Sequence, residues 1–134
     1  MNQSDGQPTP RKAARAHLVC SHIAAVSFLV LIAGRTGLIP QEIAVLGTTF
    51  GVVSIVVMFI TRNSDEWISS LWSSGANAGF VAAIGLLLIL PYSEGFIDGL
   101  MGNESRLDTP HGLASYFAFG AFLIAYNLKR IRGY

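Results

Sequence analysis

Residues 43–60 read IAVLGTTFGVVSIVVMFI, a run without a single charged side chain, and this stretch decides the fold. A helix rises about 1.5 Å per residue, so about 20 mostly apolar residues are needed to cross the hydrocarbon core of a bilayer. Three further stretches, residues 17–33, 71–90 and 111–128, also lack Asp, Glu, Lys and Arg. The pattern predicts four transmembrane helices, with spans at about 17–34, 42–61, 67–90 and 110–128.

The composition agrees with a chain that folds in lipid. Of its 134 residues, 51% are hydrophobic and only 13% are charged, whereas a water-soluble domain usually has about 25% charged residues. The charges lie in the tails and connections, because a lone charge at the bilayer centre costs several kcal/mol. We therefore predict an all-α membrane protein. Residues 16–130 would form an antiparallel four-helix transmembrane bundle between a disordered basic tail, residues 1–15, and a short tail, residues 131–134.

The distribution of Lys and Arg predicts the orientation of the bundle. If successive helices alternate in direction, seven basic residues lie on the side of the two termini and only Arg35 and Arg106 lie on the other. By the positive-inside rule both termini are cytoplasmic, and we expect a multi-pass protein of the bacterial inner (plasma) membrane. A cleaved signal peptide is the rival interpretation of the first stretch. The absence of an Ala-x-Ala cleavage pattern argues against it.

The long connection after Pro91 has an amphipathic pattern of its own. Phe96, Ile97, Leu100 and Met101 share one helical face, while acidic residues occupy the other. This spacing predicts a short helix lying in the interface of the last outer loop. Whether the acidic side chains of that loop bind a cation is left open by the sequence.

Small residues repeat at helical spacing along three of the four stretches. Because lipid tails are as apolar as Leu, transmembrane helices associate through close packing, and small residues mark the faces in contact. The predicted packing seams consist of Gly47, Gly51 and Ser54 in the second span, Gly75 and Gly79 in the third, and Ala114, Ala118, Ala121 and Ala125 in the fourth.

Intramembrane polar residues gather toward the cytoplasmic ends of the first and third spans. His22, Ser70, Ser74 and Asn77 form the candidate polar cluster, and we expect His22 to point into the bundle and to bond a third-span serine. Polar groups in hydrocarbon must find partners or water. The usual role of such residues is to join helices, and a proton or ligand site at His22 is the functional alternative.

The sequence contains no pattern that is typical of an enzyme. It has no nucleophile–base pair, phosphate-binding glycine loop, metal-ligand set or nucleic-acid patch, so we predict no cofactor and no catalysis. The leading hypothesis is an accessory, assembly or scaffold subunit that acts through helix–helix contacts. Its partners would be the lipid bilayer and either a larger membrane complex or a second copy. The alternatives are a homo-oligomeric transporter or channel for ions or small solutes and, third, an electron-transfer anchor that uses His22.

Overall fold

The computed structural model of the protein describes residues 10–101 and 113–133, and throughout these residues it is helical with short turns and no strand. The helices are α1 (Pro10–Arg35), α2 (Gln41–Thr61), α3 (Glu66–Ile84), α4 (Leu90–Met101) and α5 (Leu113–Arg132). A π-helical turn, Gly85–Ile89, joins α3 directly to α4. The chain divides into two compact units, Met1–Trp72 and Ser73–Tyr134, so the boundary falls inside α3.

Three of the predicted spans are long and apolar enough to cross a membrane. They are Arg11–Arg35, Gln41–Thr61 and Glu66–Ser93 among the described residues. The fourth prediction is supported only in part. The first residues of that span, 110–112, lie outside the described residues, and the described helix α5 carries Lys129, Arg130 and Arg132 in its last turn. Its uncharged part is therefore shorter than that of the other three helices.

In the first unit, α1 and α2 form a tight pair. Gly37, with φ of 74°, follows the end of α1 in the left-handed conformation that glycine adopts without a Cβ clash. The Gly37 amide donates to the Gly34 carbonyl at 3.2 Å and the Leu38 amide donates to the Ala33 carbonyl at 2.9 Å, which is the Schellman arrangement that ends many helices. The chain then turns back, and residue numbers along α2 rise as those of the contacting residues of α1 fall.

The start of α3 is fixed by the side chain of Asp65, the residue that precedes the helix. The Asp65 Oδ1 accepts hydrogen bonds from the Trp67 amide at 2.6 Å and from the Ile68 amide at 3.3 Å. An aspartate in this position satisfies amides that have no partner within the helix and places negative charge at the positive end of the helix dipole.

Two predicted boundaries are wrong at the ends of the chain. The tail expected to be disordered over residues 1–15 is helical from Pro10 onward. The physical reason is a proline suited to the first turn, followed by Ala, Lys and Arg, which all favour helix. At the other end, the tail expected to begin at residue 131 is still helical through Arg132.

Pro91 does not end the third helix, contrary to the expected span of 67–90. The helical chain continues past it to Met101, so the predicted loop helix exists as α4 but follows α3 without a break. Proline lacks an amide hydrogen, and its ring collides with the carbonyl four residues earlier in a regular helix. Here the preceding turn is π-helical, with the Leu90 amide donating to the carbonyl of Gly85, five residues back. The wider turn makes room for the ring.

Most of the acidic part of the connection between the third and fourth predicted spans lies outside the described residues. Glu104, Asp108 and His111 fall in residues 102–112, and the side chains of Glu94 and Asp98 are likewise outside the description. The structure therefore does not test a cation site in that loop, and the question stays as the sequence left it.

Candidate functional site

A buried histidine near the start of α1 is the most site-like feature of the described chain. His17 is 0% exposed, and its Nδ1 lies 3.0 Å from Thr61 Oγ1 at the end of α2. The Thr61 hydroxyl donates its hydrogen to the Val57 carbonyl at 2.7 Å. Its oxygen therefore accepts from His17, which assigns the hydrogen to Nδ1 of the imidazole.

The ring of Trp72 packs against this histidine, and a second aromatic ring packs against Trp72. The Trp72 ring meets His17 edge-to-face at 6.3 Å and meets Phe59 in a similar geometry at 5.9 Å. The Arg62 guanidinium carbon lies 3.7 Å from the centre of the Phe59 ring. Such cation–π contacts are worth about 0.5–1 kcal/mol when exposed and more when desolvated. We call these five residues, His17, Thr61, Trp72, Phe59 and Arg62, the His17 cluster.

The side chains of the His17 cluster are suited to joining helices. It has one imidazole, one hydroxyl already committed to a carbonyl, two aromatic rings and one cation, with no carboxylate or thiol among its members. Over the described ranges no group of three or more His, Cys, Asp and Glu side chains could hold a metal ion. The cluster ties the start of α1, the end of α2 and the first turns of α3 together.

The predicted orientation of His22 is wrong. Its side chain is exposed, and its Nδ1 lies 3.5 Å from Ser21 Oγ on the neighbouring position of α1. The buried face of α1 is formed instead by His17, Ser21, Ala24 and Ser27, which repeat at spacings of four, three and three. His22 follows Ser21 by one residue and is therefore turned about 100° away from that face.

The other members of the candidate polar cluster do not share one environment. Asn77 is exposed, whereas Ser70 and Ser74 are half-buried. A role for the four residues together stays a prediction. The sequence prediction did not include His17 in the candidate polar cluster. The spacing of small and polar residues from His17 to Ser27 was the signal that could have identified it.

Glycines of the predicted seams lie where two helices approach closely. A Cβ at Gly47 would come within 2.5 Å of Val30 Cγ1, and one at Gly51 within 3.0 Å of Ser27 Cβ. In the second unit, a Cβ at Gly75 would lie 2.9 Å from the Phe122 ring. Among the remaining seam residues, two are buried, Ser54 and Ala114. The other four are half-buried: Gly79, Ala118, Ala121 and Ala125.

Phe122 and Tyr126 are also buried on α5, for which the predicted packing seam contained only alanines. Phe122 is 8% exposed and Tyr126 is 0% exposed, and their rings stack at 6.1 Å. Gly75 of α3 faces the Phe122 ring, because a glycine provides the volume that a facing aromatic ring requires. The contact face of α5 thus combines small residues with two aromatic rings.

A groove of about 360 Å³ runs along the outer surface of the α1–α2 pair. It begins at His22 and continues along apolar residues of α1, with α2 forming the opposite wall. The lining residues are His22, Ile23, Val26, Ser27, Val30, Gly47 and Phe50.

Comparisons with known proteins do not relate the chain to a family or a fold. No protein-family model, no curated protein and no solved structure matches the chain.

Proposed function

We propose that the protein is a multi-pass integral membrane protein, folded as an antiparallel four-helix transmembrane bundle with both termini in the cytoplasm. The supporting observation is the outward apolar surface of the described helices. Only 22%, 22% and 6% of the residues in the most apolar windows of the three long helices are buried. On α2, Phe50 is 63% exposed and Ile60 is 73% exposed. Soluble monomers rarely expose apolar patches larger than a few hundred Å², so this surface fits a lipid solvent.

Within that membrane setting, we propose that the protein acts as an accessory, assembly or scaffold subunit through helix–helix contacts. The observation that carries the proposal is how the polar side chains of the described helices are used. Thr48 and Asn127 each donate to the carbonyl four residues earlier at 2.8 Å, and Ser21 donates to the Leu18 carbonyl at 2.7 Å. Hydroxyl and amide hydrogens that are bonded within their own helices are not left for a substrate, and the remaining acceptor oxygen can join helices as Thr61 does with His17, which favours a packing role.

Membrane insertion and topology are tested with single cysteines in a Cys20→Ser background. Thr36→Cys lies in the exposed connection between α1 and α2, and Arg132→Cys lies in the last turn of α5. A membrane-impermeant maleimide applied to intact cells should label Thr36→Cys, and should label Arg132→Cys only after the membrane is opened. The reverse pattern would contradict the proposed orientation. Extraction of the chain by alkaline carbonate would contradict insertion.

The accessory role is tested by what accompanies the protein and by what it does alone. A tagged chain, cross-linked in its native membrane and then purified, should recover a defined larger complex in constant ratio. Purified protein in liposomes should leave ion and solute flux at the level of empty vesicles. Flux above that level would favour a homo-oligomeric channel or transporter instead. Visible absorbance at haem wavelengths would favour an electron-transfer anchor.

A further inference from the structure

One face of α1 carries basic side chains at one end and an apolar groove at the other. Arg11, Lys12 and Arg15 are all exposed, and α1 contains no Asp or Glu to neutralise them. With 3.6 residues per turn, Arg15 lies within roughly 20° of Val26 around the helix, and Lys12 within roughly 40°. The basic side chains therefore stand on the same face as the groove, about two to three turns beyond its His22 end.

From these observations we propose that the α1–α2 groove binds one anionic phospholipid, with an acyl chain along Ile23, Val26 and Val30 and the phosphate beside Arg15 and Lys12. The inference rests on the membrane insertion that is part of the proposed function. It goes beyond that function because it assigns a ligand and a site.

The dimensions of this face match one leaflet of a bilayer. From Arg15 to Val30 the helix axis advances about 22 Å at 1.5 Å per residue. One leaflet, including its headgroups, is about 20–22 Å thick, which is half of the 40–45 Å of a whole bilayer. A single lipid in its ordinary orientation therefore meets the basic and the apolar parts of the face together.

The charge of the face selects the headgroup. Each Lys or Arg near an anionic membrane surface strengthens association by roughly fivefold. A zwitterionic lipid gains the same apolar contacts without this electrostatic attraction, because its own positive group offsets the charge of its phosphate. A second copy of the chain is a poorer occupant, since its α1 would bring three further positive charges against Arg11, Lys12 and Arg15.

The experiment measures lipid retention by the purified full chain in neutral detergent, using native mass spectrometry. Dioleoyl-phosphatidylglycerol is the anionic probe and dioleoyl-phosphatidylcholine is the neutral one. We expect at least tenfold tighter retention of the anionic lipid, and no displacement by excess inorganic phosphate. Equal retention of the two lipids would overturn the proposal, and displacement by phosphate would show a site for the free anion instead.

Variants separate the headgroup from the chain contact. The triple variant R11Q/K12Q/R15Q should remove the preference for the anionic lipid, whereas K129Q/R132Q, which removes basic charge elsewhere, should change it less than twofold. Loss of preference in both variants, or in neither, would overturn the assignment of the headgroup site.

A bulky side chain in the groove tests the acyl-chain contact. Val26 is 61% exposed and lines the groove, whereas Val52 is 59% exposed and does not. Because Ser27 lies against Gly51, the two valines sit at similar depth. Val26→Trp should weaken retention of both lipids at least tenfold and Val52→Trp should not. Val26→Phe replaces Val26→Trp if the larger ring lowers helicity by circular dichroism.

Two results would contradict the groove assignment while leaving the proposed function intact. One is equal weakening by the two tryptophan variants. The other is efficient disulfide dimer formation by Val26→Cys in a Cys20→Ser background, which would show a second copy in the groove. Failure of membrane insertion is a separate result, because the carbonate extraction described above detects it in the unmodified chain.

Discussion

The contact between Gly47 and Val30 gives the sharpest test of how α1 and α2 pack. Replacement of Gly47 by Ala would place a methyl carbon 2.5 Å from Val30 Cγ1 and 3.1 Å from Val30 Cβ. Carbon atoms pack best at about 3.5–4.0 Å. Valine in a helix has one strongly preferred χ1 rotamer, so Val30 cannot rotate away cheaply. The helices must therefore separate or the side chain must leave its rotamer.

The expected loss follows from two opposing terms. Overpacking of a closely packed contact costs about 1–3 kcal/mol, whereas Gly→Ala in a helix interior gains up to about 1 kcal/mol from helix propensity. We expect Gly47→Ala to lower the free energy of unfolding by about 1–2 kcal/mol. Gly95→Ala is the matched control. A Cβ there has nothing within 4 Å, so this variant should be neutral or slightly stabilising.

A double-mutant cycle isolates the contact from the propensity term. Val30→Ala removes Cγ1, the nearest atom to the new methyl group, so the cost of Gly47→Ala should largely disappear in the double variant. The assay is reversible unfolding of the purified chain by sodium dodecyl sulfate in mixed micelles, followed by circular dichroism. A coupling free energy of about 1–2 kcal/mol is expected. Additivity within about 0.5 kcal/mol, as for residues that do not touch, would refute the reasoning.

Three further substitutions test other local contacts. Thr61→Val removes the hydroxyl that bonds the buried imidazole of His17 and should cost about 1–2 kcal/mol in the same unfolding assay. Thr49→Val, which loses only an exposed bond within its own helix, should change little, and equal effects would contradict the role of the His17 cluster. Asp65→Ala should lower the free energy of unfolding by about 1 kcal/mol through loss of the helix cap. Asp65→Asn keeps a capping oxygen and should retain most of the stability that the cap contributes. Equal losses in the two variants would argue against capping. Pro91→Ala supplies the missing amide and should return residues 85–89 to α-helical bonding, with slower amide hydrogen exchange there; unchanged exchange would show that the π turn has another cause.

Much of the secondary structure follows from the sequence because single residues carry strong local signals. The uncharged stretch from residue 43 to residue 60 is helical throughout and lies wholly within α2. Gly37 and Asp65 mark a helix end and a helix start by mechanisms that need no tertiary context, namely a left-handed backbone and a side-chain cap. Close packing at Gly47 could be anticipated for a similar reason, since in lipid a small residue is the main device for helix approach.

The orientation of each helix about its own axis was harder to predict. Burial of His17 and exposure of His22 depend on which face of α1 meets α2, and a helix that is apolar on most of its faces gives little polarity contrast to define that face. The continuation of the helix past Pro91 depends on a π turn, which is one of several ways in which a helix can accommodate a proline, and the proline alone does not specify which one forms. Neither result could be obtained from hydropathy.

The π turn at Gly85–Ile89 also works as a rotational spacer. One extra residue in a helical turn advances every later side chain by about 100° relative to an uninterrupted α-helix. The exposed side chains of α4, including Phe96 and Leu100, therefore point in directions that are set by the length of this turn as well as by their own sequence. A deletion of one residue between Gly85 and Ile89 would keep the chain helical and would rotate all the exposed side chains of α4 about the helix axis by about 100°. This region should accordingly tolerate side-chain exchange far better than any change in length.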